Sequence, residues 1–551
     1  MNHRFLLAVI VGLLSGLFGP AAHAASKFQI SYTAAAHSGP LTGRLILLLA
    51  KQAEPEPRML ISRPIGPAMF GLDLHELRAG DPVTIDGSAV GYPTGLTELP
   101  PGDYYAQALV NVYTQVHRAD GHTLWLRVND GTNESWVNTT PGNLYSEVQK
   151  VHVTATGTIR LQITKVIPAV PREADTEWVK HVSIQSRKLS EFWGRPVWIH
   201  ATVLLPKGYA EHPEIKYPSV YTLGHGVPFW FSTDPAQATG KVDPRTGLDG
   251  GYDFYQSWVA ERFPRFIAIS LEQRTPYFLD AYSVNSANNG PYGDAVIQEV
   301  IPYLEQHFRI IGAPYARVVE GASTNGWQTL ALLLRNPDFL GGAWILQPDP
   351  IDFRHYQQTD IYHDDNAFAV PSGPFTMTER PMRRTVAGQV VWTQRQMSRY
   401  EEVLGSHGRS EQQLEGWEAV YGPVGADGYP RPLWDKLTGK IDHEVADYMR
   451  DHGFDLREYA QRNWSTLGPK LIGKLHFSCG DMDDFYLNLG VYDFQEFLQG
   501  TSNPHYEGEF VFGRPMKGHM WHPATWSELA RQMATYILQN APAGSGNAWN
   551  Y

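Results

Sequence analysis

Hydrophobic and polar residues alternate in short runs through the first part of the chain, from about residue 27 to 165. The runs are rich in β-branched and aromatic residues, and Gly, Pro and Asn-Gly-type breaks separate them. They are "FQISYTA", "GRLILLLA", "DYYAQALVNVYTQ", "TLWLRV" and "IRLQITKV". Alternation with a period of two gives a strand one apolar and one polar face. The pattern is typical of an antiparallel β-sandwich, so we predict an accessory β-sandwich domain over residues 25–170.

The pattern changes after a linker that contains "PAVPREADTE". Strand-like runs such as "YPSVYTLGHG", "RVVEGAS" and "KLHFSCG" now alternate with helical segments. In "GDAVIQEVIPYLEQHF" the apolar residues recur at helical spacing, with Pro302 expected to kink the helix or to lie in its first turns. Strands that alternate with helices imply a mostly parallel sheet covered on both faces. We therefore predict an α/β domain over residues 190–545.

The alternation lapses between about residues 352 and 468, where irregular segments and helical patterns predominate. We interpret this stretch as an insertion in the α/β domain. It is expected to pack over the carboxyl edge of the sheet and to wall the pocket there, since loops on a rigid scaffold often form binding sites.

The N-terminus has the organisation of a secretory signal peptide. Arg4 precedes the apolar run "FLLAVIVGLLSGLF", and the small-residue sequence "AAHA" follows. A membrane anchor is the alternative, but the run is shorter than the roughly 20 residues that span a bilayer. We predict a signal peptide over residues 1–24, cleaved after Ala24, and a mature protein that is periplasmic or secreted, with no membrane span.

Composition narrows the class of protein. A hydrophobic content of 42% argues against disorder, and a net charge of -12 argues against a nucleic-acid partner. The single cysteine, Cys479, excludes an intrachain disulfide and a cysteine-rich metal site. Sixteen tryptophans and 28 tyrosines fit mainly core packing, with a minority expected to line a pocket for sugar or aryl groups.

The stretch "VVEGASTNGW" at residues 318–327 is close to the G-x-S-x-G signature of a nucleophile elbow. Gly321 and Ser323 fit the signature, and a helical run follows. Asn325 stands where the second glycine is expected, and Gly326 comes one residue later. We interpret Ser323 as a catalytic nucleophile on a strand-to-helix turn. An ordinary turn serine is the alternative.

Carboxylates and histidines follow the last predicted strands in the chain order Ser, Asp, His that such a triad requires. "FSCGDMDDFYL" supplies Asp481, Asp483 and Asp484, and "FVFGRPMKGHMWHP" supplies His519 and His522. Taken singly, the acids could be turn residues and the histidines part of an aromatic cluster. Together with the elbow they indicate acyl-transfer chemistry.

An oxyanion site is predicted from "YTLGHGVPFWF", a strand that ends in two closely spaced glycines. Gly224 and Gly226 let the backbone approach a substrate closely. The backbone N–H groups of Val227 and of Thr324, the residue after the nucleophile, are the candidate oxyanion donors. A plain glycine turn is the alternative.

From about residue 190 to 540 the chain resembles the α/β-hydrolase esterases related to esterase D and enterochelin esterase. The resemblance is carried by "YPSVYTLGHG", "EGASTNGW", "CGDMDDFYL" and "KGHMW". It implies an α/β-hydrolase domain that needs no cofactor. A β-sandwich ahead of that domain is also similar to the enterochelin esterase layout.

The resemblance also selects among the candidate site residues. The esterase D-like motif G-x-x-D-x-F matches Gly480, Asp483 and Phe485, which implies Asp483 as the acid of the triad. The enterochelin-esterase-like pattern Gly-His-x-Trp begins at Gly518 and implies His519 as the base.

The resulting hypothesis is an exported serine hydrolase that cleaves small-molecule carboxylic esters through an acyl-enzyme, with carbohydrate-linked and aryl-linked esters among the candidates. Two alternatives remain: a non-catalytic ligand- or glycan-binding protein on a hydrolase scaffold, and a serine peptidase.

"YHDDNAF" and "HMWH" contain metal-ligand residue types, but neither has the spacing of a recognised zinc or calcium site. "RPMRR" is interpreted as a solvated basic run, or as a site for a substrate carboxylate or phosphate.

Overall fold

The structure is a computed structural model that describes residues 26–61, 66–127, 136–171, 173–224, 226–272 and 274–551. The predicted signal peptide lies outside the described residues. Among the helices that are described, none combines the length and the apolar character needed to cross a membrane.

The first part of the chain is built from strands. Within the described residues, nine of them join in one sheet of order β4-β1-β11-β9-β6-β2-β3-β5 with β10 paired to β6, and β7 and β8 form a separate hairpin. The strands are β1 Lys27–Tyr32, β2 Leu41–Ala50, β3 Ala68–Leu77, β4 Val83–Ile85, β5 Val90–Tyr92, β6 Gly102–Val112, β7 Thr114–His117, β8 Thr123–Leu126, β9 Leu144–Ser146, β10 Gln149–Val153 and β11 Thr158–Val166. The all-β character is as expected. The two-sheet sandwich stays a prediction, because hydrogen bonds link these nine strands into a single sheet.

β2 explains why "LILLLA" is continuously apolar rather than alternating. Every residue of β2 is buried. Its two edges pair with β3 and β6, and both of its faces are covered by other side chains. Leu45, Leu47 and Leu49 join the core of this domain. Ile46 and Leu48 face the larger core that continues into the second domain.

The second part of the chain alternates strands and helices, and the predicted α/β architecture is confirmed there. Its sheet has the order β12-β13-β15-β14-β18-β19-β24-β25, antiparallel up to β15 and parallel beyond it. The elements before the insertion are β12 Val179–Ser186, α1 Arg187–Trp193, β13 Val197–Leu204, β14 Ser219–Thr222, α2 Gly251–Trp258, β15 Ile267–Glu272, β16 Asn285–Ser286, β17 Gly290–Pro291, α3 Tyr292–Ala295, α4 Ile301–His307, β18 Arg317–Ala322, α5 Thr324–Arg335 and β19 Gly342–Leu346. A π-helical segment, Val296–Val300, joins α3 to α4, and Pro302 lies in the first turn of α4.

The segment predicted as an insertion contains two small hairpins and five helices within the described residues, and the sheet then resumes. The hairpins were not predicted. These elements are β20 Ala369–Gly373, β21 Thr376–Glu379, β22 Pro381–Arg384, β23 Val390–Thr393, α6 Gln394–Leu404, α7 Gln413–Tyr421, α8 His443–Asp451, α9 Leu456–Arg462 and α10 Trp464–Leu471. The last elements are β24 Leu475–Gly480, α11 Asn488–Gln499, β25 Glu509–Gly513 and α12 Trp526–Asn540.

The N-terminal sheet packs directly on the insertion. The buried guanidinium of Arg44 on β2 donates to the carbonyl oxygens of Val403 at 3.0 Å and Glu402 at 2.6 Å at the end of α6. A Cβ atom at Gly71 on β3 would lie 2.2 Å from the carbonyl oxygen of Val403, so only glycine allows this approach. Arg127 and Glu411 form a buried ion pair across the same contact. The first domain therefore supports the segment that reaches the site described next.

Candidate active site

Ser323 occupies a strained turn between β18 and α5. Its backbone has φ 61° and ψ -123°, a region that residues other than glycine rarely adopt. The Ser323 N–H donates to the carbonyl oxygens of Leu346 and Gln347 at 3.0 and 3.1 Å, at the end of the neighbouring strand β19. These bonds hold the turn in place and position the side chain at the carboxyl edge of the sheet.

The displaced glycine of the elbow has a geometric explanation. A Cβ atom at Gly326 would lie 2.6 Å from the carbonyl oxygen of Leu346, so the close approach of α5 to β19 falls at position 326. Asn325 is accommodated, since its Oδ1 accepts a hydrogen bond from Gln328 Nε2 at 3.3 Å one turn later. The departure from G-x-S-x-G is therefore compatible with a tight strand–helix turn.

His519 and Asp483 form a buried hydrogen-bonded pair. Nδ1 of His519 lies 2.7 Å from Oδ2 of Asp483, and the exposed fractions of the two residues are 8% and 0%. The other carboxylate oxygen, Oδ1, accepts the backbone N–H groups of Phe485 at 2.9 Å and Leu487 at 3.2 Å. An ionised Asp483 accepts the Nδ1 proton, which leaves Nε2 of His519 free to take another proton.

The surroundings of His519 raise its pKa, so the imidazole gains a proton more readily than a free histidine. Burial alone would lower its pKa, but the adjacent Asp483 carboxylate outweighs burial and raises the pKa above its ordinary value, with smaller contributions from Asp349 and Asp484. His522 is different. Burial lowers its pKa to about 4, and its Nδ1 lies 3.0 Å from the carbonyl oxygen of Met520. His522 is thus neutral at pH 7 and has no carboxylate partner in the described part of the chain.

The neighbouring acids hold the loops of the site together. Asp481 Oδ1 accepts the backbone N–H of Lys517 at 2.8 Å, and Asp484 Oδ1 accepts the backbone N–H of His519 at 3.2 Å. The basic run "RPMRR" contributes as well. Arg383 lies 3.4 Å from the Asp484 carboxylate, and the Arg384 guanidinium donates to the carbonyl oxygen of Asp483 at 3.0 Å. This run braces the acid loop rather than forming a free solvated face.

A cavity of about 250 Å³ is lined by three of the five predicted site residues. Ser323, His519 and Val227 all line it. Thr324 begins α5, where the first backbone N–H groups of a helix have no acceptor within the helix. Asn325, rather than Thr324, lies in the cavity wall. Gly224 lines the cavity beside Val227, at the end of β14.

The insertion does not wall this cavity as expected: none of its described residues belongs to the lining. It contacts the far side of the elbow instead. The hydroxyl of Tyr282 and two groups of α7, Nε1 of Trp417 and Nε2 of Gln413, donate to Asp349 Oδ2 at 2.6, 3.0 and 3.1 Å. The insertion therefore contacts the serine turn through this carboxylate, and not from the side of the cavity.

Asp349 is the residue of the site that the sequence reasoning missed. It is buried, it follows β19, and Ser323 Oγ donates to its Oδ1 at 3.4 Å. Thr324 Oγ1 donates to Oδ2 at 3.1 Å. Within the described residues, the hydrogen bond of the Ser323 hydroxyl is to Asp349 and not to His519. The signal was present in "ILQPDP", where a carboxylate follows a strand, the same placement that made Asp481, Asp483 and Asp484 candidates.

Replacing Asp349 with asparagine is expected to lower kcat about 10- to 100-fold, because a slightly displaced nucleophile loses much of its reactivity. The free energy of unfolding should fall by about 1–3 kcal/mol, because asparagine has an NH2 group in place of one carboxylate oxygen. That NH2 group must point either at the donors around Oδ2 or at the Ser323 hydroxyl, which donates to Oδ1. Ester hydrolysis and urea unfolding measure both effects. Asp338→Asn, at an acid whose side chain is 73% exposed, serves as the control. Wild-type values for Asp349→Asn in both measurements would contradict this role.

The residues considered as metal ligands have other contacts. His363 Nδ1 lies 2.9 Å from Asp360, and Asp364 forms an ion pair with Arg380 at 2.7 Å. Among the described residues, no three His, Cys, Asp or Glu side chains are grouped so that they could hold a metal ion.

Comparisons with known proteins identify solved structures but no sequence family. No family model and no curated protein matches the chain. A ferulic acid esterase is 16% identical, over 66% of this chain and 98% of that chain, with a TM-score of 0.34. A fluorophosphonate-binding serine hydrolase of Staphylococcus aureus is 16% identical, over 65% and 98% of the two chains, with a TM-score of 0.33. An S-formylglutathione hydrolase of the same organism is 14% identical, over 66% and 98%, with a TM-score of 0.30.

Identities of 14–16% and TM-scores of 0.30–0.34 are too low to transfer a substrate or a residue role to this chain. A reaction for this chain is therefore inferred from the residues of its own cavity.

Proposed function

We propose that the chain is an exported serine esterase that hydrolyses small-molecule carboxylic esters with Ser323, His519 and Asp483 as its triad. One observation carries the proposal. His519, which is hydrogen-bonded to the buried Asp483, lines the same cavity as Ser323, a serine held at positive φ. Export is supported by the charged, apolar and small-residue order of residues 1–24.

In the first half of the reaction, Ser323 Oγ forms a bond to the ester carbonyl carbon while His519 Nε2 takes the hydroxyl proton. For this the hydroxyl must turn from Asp349 to His519, which is a rotation about a single side-chain bond. Asp483 holds the imidazole and stabilises its protonated form. The carbonyl oxygen becomes an oxyanion, for which the N–H groups of Val227 and Thr324 are the proposed donors.

Collapse of this intermediate breaks the bond to the alcohol oxygen, and His519 returns its proton to the leaving alcohol. In the second half, water attacks the acyl-enzyme while His519 takes a proton from it. The bond between Ser323 Oγ and the acyl carbon then breaks, and the proton returns to the serine. The products are the carboxylic acid, the alcohol and the starting enzyme, so no cofactor is needed.

The experiment that tests the proposal treats the mature protein with a fluorophosphonate probe and locates the label by peptide mass spectrometry. Labelling of Ser323 together with hydrolysis of 4-nitrophenyl acetate is the expected result, since only an activated serine attacks phosphorus readily. Glycan binding without labelling or hydrolysis would favour a binding protein on a hydrolase scaffold.

The same preparation separates an esterase from a serine peptidase. The 4-nitrophenyl ester and the 4-nitroanilide of one acyl group present the same acyl chain with different leaving groups. The ester is expected to react and the anilide to react far more slowly. Equal rates on the two would favour the peptidase.

A further inference from the structure

Two exposed apolar side chains stand where the cavity meets solvent. Among the described residues of the cavity lining, only Trp230 and Met520 are exposed, with exposed fractions of 52% and 48%. Ser323 and His519 line the same cavity. Large apolar side chains that stay exposed together at a cavity mark a binding surface, whereas single scattered ones do not. Trp230 and Met520 thus form an apolar rim at this opening.

The exposure of Trp230 is built into the backbone of its turn. Phe229 and Phe231 on either side are buried, and their rings pack 5.1 Å from that of Phe254 and 5.5 Å from that of Tyr255. Phe229 and Trp230 both have φ 55°, in the left-handed region that residues other than glycine rarely adopt. Such strain persists only where the surrounding structure fixes it, and it is concentrated at functional sites. The two buried rings therefore anchor a turn that holds the indole between them in solvent.

The apolar rim flanks the loop that carries the proposed base. Met520 directly follows His519 in the chain. Trp230 reaches the same loop through Trp526, because the ring centroids of Trp230 and Trp526 are 5.7 Å apart and those of Trp526 and His522 are 4.9 Å apart. Both residues of the rim therefore lie on the side of the cavity that His519 occupies.

This position corresponds to the alcohol part of an ester. In the proposed reaction His519 protonates the leaving alcohol, so the alcohol oxygen must come within hydrogen-bond reach of its Nε2. The alcohol also departs before water attacks and needs a path to solvent, whereas the acyl group stays bonded to Ser323. That path passes the exposed residues of the lining, which are those of the apolar rim.

The chemistry of the rim suits an uncharged ring. An indole and a thioether are apolar and polarisable, and both make favourable contacts with aromatic rings. The described part of the lining contains no Asp, Lys or Arg. Its one glutamate, Glu320, is buried, and burial raises its pKa to about 8, so it is mostly uncharged at pH 7. A charged alcohol part would therefore find no carboxylate, ammonium or guanidinium partner at the rim.

We propose that Trp230 and Met520 select esters whose alcohol part carries an apolar ring, such as a benzyl group, which packs on the indole and the thioether. The inference rests on the proposed esterase function and adds the class of alcohol. The two side chains determine specificity and take no part in bond making. Because the ring is bound in the substrate complex as well as in the transition state, losing its contacts should raise KM more than it lowers kcat.

The test uses two isomeric esters, benzyl acetate and methyl phenylacetate, which carry the same ring on the alcohol side and on the acyl side. Methyl acetate is the reference, and its leaving alcohol is similar in acidity to benzyl alcohol. In the wild-type protein, kcat/KM for benzyl acetate is expected to exceed that for methyl acetate at least about 10-fold, since the ring removes apolar surface from water. In Trp230→Ala this ratio should fall at least about 5-fold, mainly through KM, whereas the ratio of methyl phenylacetate to methyl acetate should not change.

Further variants separate contact with the ring from general damage. Trp230→Phe keeps an aromatic face and should retain most of the preference, and Met520→Ala should lose part of it. Trp198 and Met516 are also exposed but do not line the cavity. Trp198→Ala and Met516→Ala are the matched controls and should keep the wild-type ratios.

Three outcomes would overturn the inference. The first is a wild-type protein that hydrolyses benzyl acetate and methyl acetate equally well. The second is a preference that persists in both Trp230→Ala and Met520→Ala, and the third is a loss that falls on methyl phenylacetate instead of benzyl acetate. If Trp230→Ala does not fold, Met520→Ala decides the matter. A wild-type protein that hydrolyses none of these esters, nor 4-nitrophenyl acetate, would instead overturn the proposed function itself.

Discussion

Replacing Ser323 with alanine is expected to lower kcat for ester hydrolysis at least about 1,000-fold, because alanine cannot form the proposed acyl-enzyme. The residual rate would come from binding and from the oxyanion donors alone. The variant should fold normally, since alanine experiences the same strain at φ 61° and the lost hydrogen bond to Asp349 is a long one at 3.4 Å. Initial rates on 4-nitrophenyl acetate and urea unfolding measure the two effects.

A serine on the protein surface provides the matched control. Ser465 is exposed on α10, and Ser465→Ala should keep wild-type activity and fluorophosphonate labelling. Ser323→Ala should lose both. Full activity in Ser323→Ala would show that the turn serves only the fold and that hydrolysis occurs elsewhere in the molecule.

The sequence predicted the elements that depend on local pattern. The strand–serine–helix turn could be predicted from "VVEGASTNGW" because the end of the strand, the glycines near Ser323 and the start of a helical run all fall within ten residues. The position of Gly326 could not be explained in advance. A glycine is needed there because the carbonyl oxygen of Leu346 lies close by, and Leu346 belongs to β19, which begins only after α5 has ended.

The acid of the proposed triad is an example of a choice that the local sequence pattern cannot make. Asp481, Asp483 and Asp484 lie in one loop, and the sequence could choose among them only through a family resemblance. In the structure each has a different partner: the Lys517 backbone, the His519 ring and the His519 backbone. The choice depends on a loop about 35 residues later in the chain, which no local spacing encodes.

The contacts between Asp349 and the insertion were even less predictable from the sequence. The donors to Asp349 come from positions 282, 323, 324, 413 and 417, which meet only after the sheet and the insertion have folded together. A lapse in strand–helix alternation predicts that an inserted segment exists. It does not predict which side of Ser323 the segment contacts, and here the expected side was wrong.

Replacing Asp483 with asparagine is expected to lower kcat at neutral pH about 1,000- to 10,000-fold without displacing the loop. The backbone N–H groups of Phe485 and Leu487 donate to Oδ1, and the asparagine oxygen can keep both bonds. That orientation turns the amide N–H₂ towards His519 Nδ1, which must then become an acceptor. The proton moves to Nε2, the position that has to receive the proton of Ser323.

Asp484→Asn is the matched control, one residue along the same loop. Asp484 accepts the backbone N–H of His519 and pairs with Arg383, but it does not contact the imidazole ring through a hydrogen bond. Its loss should lower kcat less than about 10-fold. If the two variants lost activity equally, the loop as a whole, and not the Asp483–His519 bond, would be what catalysis requires.

The pH dependence separates loss of the base from loss of structure. As the proposed base, His519 can act only when neutral. Burial lowers its pKa, but the Asp483 carboxylate outweighs burial and raises the pKa above its ordinary value. Wild-type kcat/KM should therefore fall as the pH drops through a value above about 6.5. Without the carboxylate the pKa of His519 is lowered, so the acid limb of the residual activity in Asp483→Asn should move to lower pH, while that of Asp484→Asn moves much less. Rates between about pH 4 and pH 9 measure this shift. An unmoved acid limb in Asp483→Asn would mean that the titrating group is not the histidine held by Asp483.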